Sequence, residues 1–407
     1  VKKTYISMKK IFPCVVGLGY VGLPVFISLK KKFKVIGFDT DKKRVQDLNH
    51  QIDINNEFNN YQLKLSNKSL ITNEENILKK CNFFIVTVPT PINKNKLPNL
   101  KYIISAFKTI AKYVKKNDII FLESTVFPGT TEHICKKIIK KNKNIKFHIG
   151  YSSERINPGD KVHNINNINK VVAIKHDGKI ASTIKKVYNC ISKKIIITEN
   201  VQEAELSKLI ENTQRDLNIA LMNELMILCD KTNLDFNEVI RLAKTKWNFL
   251  NFNPGLAGGH CLPLDPYYLS YYANKFNFKT KVTLAGRNIN NSMENFIYEK
   301  ICKKILVKKI INKKIIIAGL TYKPNVADLR NSLANKIFKR IKKLVPNIIA
   351  YDPTIDKNLA KKLNIESNFK NIKKADIFII LVQHSEFKNI YMHVKKHKNK
   401  KILDLYS

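Results

Sequence analysis

The stretch Gly258-Gly259-His260-Cys261-Leu262-Pro263-Leu264-Asp265-Pro266-Tyr267-Tyr268 sets a cysteine behind two glycines and ahead of an acid. Glycines in that position free the backbone for close contact with a ligand, and the acid and aromatics constrain what fits beside it. Such a cysteine is either a nucleophile or a buried structural thiol, and the stretch alone leaves both open. A second stretch bears on the choice. In Glu205-Leu206-Ser207-Lys208-Leu209-Ile210-Glu211-Asn212-Thr213, Lys208 and Asn212 recur at helical spacing and so share one face. An ammonium and an amide aimed at one pocket stabilise an oxyanion. The plainer alternative is a solvated lysine beside a surface asparagine.

A third stretch suits a dinucleotide. Val15-Val16-Gly17-Leu18-Gly19-Tyr20-Val21-Gly22 passes from a strand pattern into a helix pattern. Gly17 permits the tight turn, Gly19 lets the backbone approach a pyrophosphate, and Gly22 lets the helix pack on the strand. Tyr20 and Val21 open the helix, whose N-terminus faces the phosphates. The glycine pattern alone is weak evidence, but Phe38-Asp39 closes the next strand, where an acid accepts the ribose hydroxyls of NAD. A carboxylate there repels a 2′-phosphate, so NAD is expected and NADP is not. Pro13 has no N–H to give a strand ladder, which moves the expected strand start to Cys14.

These residues need a scaffold, and 407 residues imply two or three domains. Short apolar runs alternate with helical-period segments, the pattern of parallel sheets built from βαβ crossovers. After the unit Ile11 to Phe38, strands are expected at Phe83–Val88, Ile119–Glu123, Phe147–Tyr151, Val171–Ile174 and Ile195–Thr198. Leu100–Val114 and Thr130–Lys140 are expected to be helical. From Val201 to about Cys229 one long helix is expected, then more helix from Asn233 to Thr245. Alternation returns with strands at Ile315–Gly319, Ile348–Tyr351 and Ile377–Leu381, so two α/β parts flank a helical middle. That arrangement suggests an approximate architectural duplication.

Composition excludes other classes. Apolar residues make up 44% of the chain against 26% charged, which is ordinary for a globular protein. The formal charge of +41 invites nucleic-acid binding, but the lysines are dispersed along the whole length, so no specific nucleic-acid partner is expected. No apolar run has spanning length and the first residues lack a signal-peptide pattern, so no membrane association and a cytoplasmic location are expected. Seven single cysteines make neither C-x-x-C spacing nor a disulfide framework. All except Cys261 are expected to be buried core thiols, and no metal site is expected.

Further segments carry a resemblance. Gly17 to Pro24, Val88-Pro89-Thr90-Pro91, Glu123-Ser124-Thr125-Val126-Phe127-Pro128-Gly129-Thr130-Thr131, Ser153-Glu154-Arg155-Ile156-Asn157-Pro158-Gly159-Asp160, the Lys208/Asn212 helix, Gly258 to Asp265 and Gly319 to Ser332 follow one another in order. Together they resemble the UDP-glucose/GDP-mannose dehydrogenase family over nearly the whole chain. Glu154 to Asp160 and Ile210 to Ala220 are most similar to the branch acting on UDP-N-acetylhexosamines, including enzymes that make N-acetylgalactosaminuronate, whereas Pro263-Leu264 is similar to its glucosamine-type members, so the resemblance implies either GlcNAc or GalNAc.

The resemblance implies an α/β fold: an NAD-binding Rossmann-like domain over residues 1–200, a central helical region over 201–308 and a smaller UDP-sugar-binding Rossmann-like domain over 309–407. It implies NAD-dependent four-electron oxidation of the sugar C6 through a Cys261 thiohemiacetal and thioester, in a homodimer. By the same resemblance Lys208 and Asn212 hold the C6 oxygen and oxyanion, while Asp265 and a water near Thr125 transfer protons and Glu154 assists hydrolysis. Thr90 and Thr125 join Gly17, Gly19, Tyr20, Val21, Gly22 and Asp39 at the cofactor. The loop with Phe249, Leu250 and Phe252 binds the nucleotide sugar together with Arg155, Gly258, Lys323, Arg287 and Arg330. The two last are chosen because guanidinium grips phosphate or carboxylate with two prongs; Arg287 is further expected to reach a partner subunit's site.

Overall fold

The computed structural model describes residues 10–55, 57–155, 165, 167–175, 178, 180–307, 313–397, 399–403 and 405. Ile156 to Asp160 of the motif beginning at Ser153 lie outside the described residues. The chain falls into two compact units, Val1–Ile210 and Glu211–Ser407.

The first unit is an eight-stranded sheet with helices. Its strands are β1 (Pro13–Val16), β2 (Val35–Phe38), β3 (Ser69–Thr72), β4 (Phe83–Val86), β5 (Ile119–Leu122), β6 (His148–Ser152), β7 (Asn169–Ile174) and β8 (Lys194–Thr198). They lie in the order β3-β2-β1-β4-β5-β6-β7-β8. Strand alternation divides the core between two faces. Cys14, Val16, Phe84 and Val86 pack on one side, and Val15, Phe83, Ile85 and Phe121 on the other. The described pairs are parallel apart from β6 with β7, which is antiparallel. The sequence pattern suggested parallel pairing, but a two-residue period carries no strand direction. Pro13 is part of β1 after all, at its first position, where a missing N–H is tolerated.

The helices of this unit are α1 (Gly22–Leu29), α2 (Lys42–Asn49), α3 (Asn60–Leu63), α4 (Lys101–Tyr113), α5 (Lys136–Asn142) and α6 (Ala181–Tyr188), followed by α7 (Val201–Thr232), which crosses the division at Ile210. All residues of α1 are buried, and its Pro24 falls in the first turn, where no N–H is needed. Asp41 caps α2 by accepting from the N–H groups of Lys43 and Arg44. The single helix expected over Thr130–Lys140 is instead a π-helical turn, Thr130–Cys135, followed by α5. Gly129, at φ +87°, starts that turn, and Glu205 of α7 takes up its first N–H groups.

The second unit contains α8 (Phe236–Ala243), α9 (Asp265–Asn274), α10 (Lys281–Val307), α11 (Leu333–Leu344), α12 (Lys357–Leu363), α13 (Phe369–Ile372) and α14 (Lys388–Lys396). Its strands β9 (Ile315–Ala318), β10 (Ile349–Tyr351), β11 (Ile365–Glu366), β12 (Ile377–Ile380) and β13 (Lys401–Leu403) form a parallel sheet ordered β11-β10-β9-β12-β13. The sequence pattern had not set off α10. Met293, Ile297 and Ile301 recur every fourth residue along it and join one core with Met222 and Met226 of α7, Ile337 and Ile341 of α11, and Ile315 and Ile317 of β9. The helical middle therefore shares its core with the smaller sheet. Gly286 lets α10 lie close to α7, since a Cβ there would meet Leu217 Cδ2 at 2.4 Å.

The two sheets repeat one turn. Gly17 donates its N–H to Phe38 O at 2.8 Å and Leu18 donates to Asp39 Oδ2 at 2.7 Å. In the second unit Gly319 donates to Tyr351 O at 2.9 Å and Leu320 to Asp352 Oδ2 at 2.7 Å. The copies differ in what surrounds the acid. Asp352 is fully buried and also meets His384 Nε2 at 3.2 Å, whereas Asp39 is half-buried.

Candidate active site

In the first unit the glycine turn has the form a dinucleotide needs. Gly17 adopts φ +93°, in the left-handed region. A Cβ on Gly22 would lie 1.8 Å from Gly17 O, so only glycine lets α1 start this close to the turn. Gly19 is different, because a Cβ there would meet nothing within 4 Å. Its exposed backbone faces open space, which is what an approaching pyrophosphate requires. Asp39 keeps Oδ1 on Asp41 N–H at 3.0 Å and Oδ2 on Leu18 N–H, holding the carboxylate at the end of β2 while leaving it half-exposed. The residues present therefore fit NAD. Tyr20 and Val21 are half-buried at the start of α1, and Thr90 and Thr125 are half-buried beyond the ends of β4 and β5.

No sequence pattern marks Thr87, which follows β4 directly. Its hydroxyl donates to Gly17 O at 2.7 Å, bracing the turn from β4. Nor does any local pattern mark the buried cluster near Glu154, where Lys170 Nζ donates to Glu154 Oε2 at 2.8 Å and to Glu123 Oε2 at 2.9 Å. Tyr188 donates to Glu123 Oε1 at 2.9 Å, and Arg155 gives its backbone N–H to Glu154 Oε1 at 2.7 Å.

Lys208 is buried on α7, one turn before Asn212, so it is not the solvated lysine of the plainer alternative. On the same helix Glu205 accepts from Gly129 N–H at 2.6 Å, Thr131 N–H at 2.9 Å and the Thr131 hydroxyl at 2.7 Å. Burial pushes its carboxyl up to about 7 despite those three donors. Glu205 thus ties α7 to the loop that carries Thr125.

In the second unit Cys261 alone among the seven cysteines is exposed. Of the other six, Cys14, Cys81, Cys135 and Cys229 are buried, but Cys190, in the turn after α6, and Cys302, on α10, are half-buried, contrary to expectation. The Cys261 carbonyl accepts from Leu264 N–H at 2.9 Å and Asp265 N–H at 3.0 Å, fixing the cysteine to the first turn of α9. Asp265, buried at that turn, accepts a 2.5 Å hydrogen bond from Asn212 Nδ2. Gly259 has φ +96°, and a Cβ there would strike the Tyr322 ring at 2.6 Å, while one on Gly258 would meet Asn331 O at 2.7 Å. Close approach was expected to serve a ligand; within the protein it serves Tyr322 and Asn331.

Phe249 and Phe252 pack against the second unit's core, and Leu250 is exposed. Asn223 anchors the end of their loop by accepting from Gly255 N–H at 2.8 Å and donating to Gly255 O at 3.0 Å. Arg330 turns its fork on Asp328, with Nη2 to Oδ2 at 2.9 Å and Nε to Oδ1 at 3.0 Å, and Lys323 is half-buried nearby in the chain. Arg287 was expected to offer a two-pronged group to a ligand. It is fully buried between α10 and α7, ion-paired with Asp216, which also accepts from Asn290 Nδ2 at 2.9 Å. Burial lowers the Arg287 guanidinium and raises the Asp216 carboxyl against the pull of their pairing.

Three family descriptions match in succession: the NAD binding domain of the UDP-glucose/GDP-mannose dehydrogenase family over residues 10–192, its central domain over 202–292 and its UDP binding domain over 316–407. The chain belongs to the UDP-glucose/GDP-mannose dehydrogenase family. This dehydrogenase is 40% identical over 386 residues to a UDP-N-acetyl-D-glucosamine 6-dehydrogenase from Salmonella typhi, covering 92% of this chain and 90% of that protein. It is 39% identical over 395 residues to the enzyme of the same name from Pseudomonas aeruginosa, covering 94% and 93%. Among solved structures, the UDP-N-acetyl-mannosamine dehydrogenase Cap5O from Staphylococcus aureus is similar, with TM-score 0.80 and 32% identity over 96% of this chain and 93% of that one. The dehydrogenase is thus an NAD-dependent oxidoreductase acting on a nucleotide sugar, with Rossmann-like sheets at both ends of the chain. Among the described residues no helix is long and apolar enough to cross a membrane.

Proposed function

We propose that this dehydrogenase oxidises C6 of a UDP-N-acetylhexosamine twice, to the uronate, taking UDP-N-acetylglucosamine ahead of UDP-N-acetylgalactosamine. The product would serve surface polysaccharide synthesis, and the enzyme would work as a cytoplasmic homodimer. The observation that carries the reading is the exposed Cys261 fixed to the first turn of α9, with Asp265 of that turn hydrogen-bonded to Asn212. The names of the two 6-dehydrogenases at about 40% identity support the sugar class.

The Gly17 to Gly22 turn, Asp39 and Thr90 would hold NAD, which would supply the hydride acceptor for both oxidations. The Cys261 thiolate adds to the C6 aldehyde to give a thiohemiacetal, and loss of the second hydride leaves a thioester. Water then cleaves the carbon–sulfur bond, releasing carboxylate and restoring the thiol. Each sugar therefore consumes two NAD and one water. Lys208 and Asn212 hold the C6 oxygen and stabilise the oxyanion, while Asp265 and a water beside Thr125 take protons. Glu154 assists the hydrolysis. Arg155, Phe249, Leu250, Phe252, Gly258, Lys323 and Arg330 bind the nucleotide sugar.

Purified enzyme given NAD with UDP-N-acetylglucosamine, UDP-N-acetylgalactosamine, UDP-N-acetylmannosamine, UDP-glucose or GDP-mannose should show its highest kcat/KM on the first and form two NADH per sugar consumed. One NADH per sugar, or a preference for UDP-glucose or GDP-mannose, would contradict the reading.

A further inference from the structure

Lys170 is almost fully buried, with its ammonium held between two buried carboxylates, those of Glu154 and Glu123. Strand register explains the meeting. The antiparallel pairing that sets Ser152 opposite Val172 brings Glu154 across from Lys170 two residues further on. Alternation keeps Lys170 on the sheet face of Val172 and Ile174. Glu123 follows β5 directly, and its other oxygen is taken by Tyr188 of α6, whose ring stands edge-on to Phe121 at 5.1 Å. Arg155 gives its backbone N–H to Glu154, and its Nη1 donates to Asn169 O at 3.3 Å.

Two carboxylates around one ammonium leave a surplus negative charge in a buried place, which is unfavourable. Burial raises the Glu123 carboxyl against the pull of Lys170. Burial also works to lower Lys170, but the two carboxylates outweigh it and hold the ammonium above its ordinary range. The cation is therefore retained, and the two acids compete for it.

We propose that Lys170 is a positioning residue for Glu154. Its ammonium pairs with Glu154 at 2.8 Å and fixes Oε2, so that Glu154 accepts the proton of the water that cleaves the Cys261 thioester. Glu123, backed by Tyr188, draws on the same ammonium and limits how firmly Glu154 is held. This rests on the hydrolytic role assigned to Glu154 above.

The test is the rate of decay of the covalent adduct on Cys261, followed by intact-mass spectrometry in a single turnover with NAD and UDP-N-acetylglucosamine, as a function of pH. Wild type is compared with Glu154→Gln, Glu123→Gln, Lys170→Met and Lys170→Arg. Removing the competitor in Glu123→Gln should move the acid limb of decay down by about one pH unit, and removing the cation in Lys170→Met should move it up by at least as much. Lys170→Arg, which keeps the cation, should return the limb toward wild type. A purely structural role for Lys170 would slow decay at every pH without moving the limb. Wild-type decay in Glu154→Gln would overturn the role of Glu154 itself. Slow decay in Glu154→Gln with an unmoved or raised limb in Glu123→Gln would overturn the role of Lys170, even if Lys170→Met does not fold.

Discussion

Asn212 and Asp265, 53 positions apart in sequence, share a 2.5 Å hydrogen bond in which the amide donates to Oδ2. The bond joins α7 to the first turn of α9, the turn that also holds the Cys261 carbonyl. An amide here orients a buried carboxylate, and under the proposed mechanism it also stabilises the oxyanion. Asn212→Ala should lower kcat about 100- to 1000-fold while costing about 1–3 kcal/mol of stability for the lost donor. Steady-state kinetics and chemical denaturation check the two separately; a wild-type kcat would show that the amide only braces Asp265.

Two glycines of the cofactor turn should respond in opposite ways. Gly22→Ala places a Cβ 1.8 Å from Gly17 O, so α1 must shift and thermal stability should fall. Gly19→Ala meets no protein atom within 4 Å, so Tm should hold while KM for NAD rises. Equal loss of stability in both, or an unchanged KM in Gly19→Ala, would contradict the assignment of that open space to the cofactor.

Asp39 holds its carboxylate half-exposed at the end of β2 through Leu18 and Asp41. Its charge should repel a 2′-phosphate, so kcat/KM should favour NAD over NADP, and Asp39→Ser should narrow the gap from both sides. Equal use of the two cofactors by the wild type would remove Asp39 from the ribose.

How much of this was legible in the sequence depended on how local the cause was. Gly17, Gly22 and Asp39 could be placed because a tight turn and the end of the next strand impose their demands within a few residues. Lys170 and Glu123 could not, because their meeting with Glu154 depends on the antiparallel return of β7, and an apolar run reads the same in either direction. The burial of Arg287 was not legible for a related reason. Once α10 is a single helix with Gly286 against Leu217, the positions facing α7 are buried, and Arg287 must pair with Asp216. Glu205 shares a helix face with Lys208 and Asn212, a periodicity that could have singled it out, but its partners at Gly129 and Thr131 belong to a π-helical turn that the pattern gave as ordinary helix.

Glu205 gives a dependence on pH with a definite sign. Its carboxyl is pushed up to about 7 in the folded chain, mainly by burial, from an ordinary value of about 4.5. Between those values the folded protein keeps a proton that the unfolded chain has released, so this group's contribution to stability falls as pH rises through the window. Glu205→Gln removes the titration. The Tm of wild type minus that of the variant should therefore decline from pH 4.5 toward pH 7. A difference that grows over that range would mean that the three donors from Gly129 and Thr131 outweigh the burial.

The central claim is that Cys261 carries the sugar covalently between the two oxidations, and Cys261→Ser tests it most directly. The variant should still bind NAD and UDP-N-acetylglucosamine. Uronate formation, counted as two NADH per sugar, should fall by orders of magnitude, because a serine alkoxide is harder to generate than a thiolate and an ester resists hydrolysis more than a thioester. Uronate made by Cys261→Ser at the wild-type rate, with two NADH per sugar, would contradict the covalent mechanism and leave Cys261 with no chemical role.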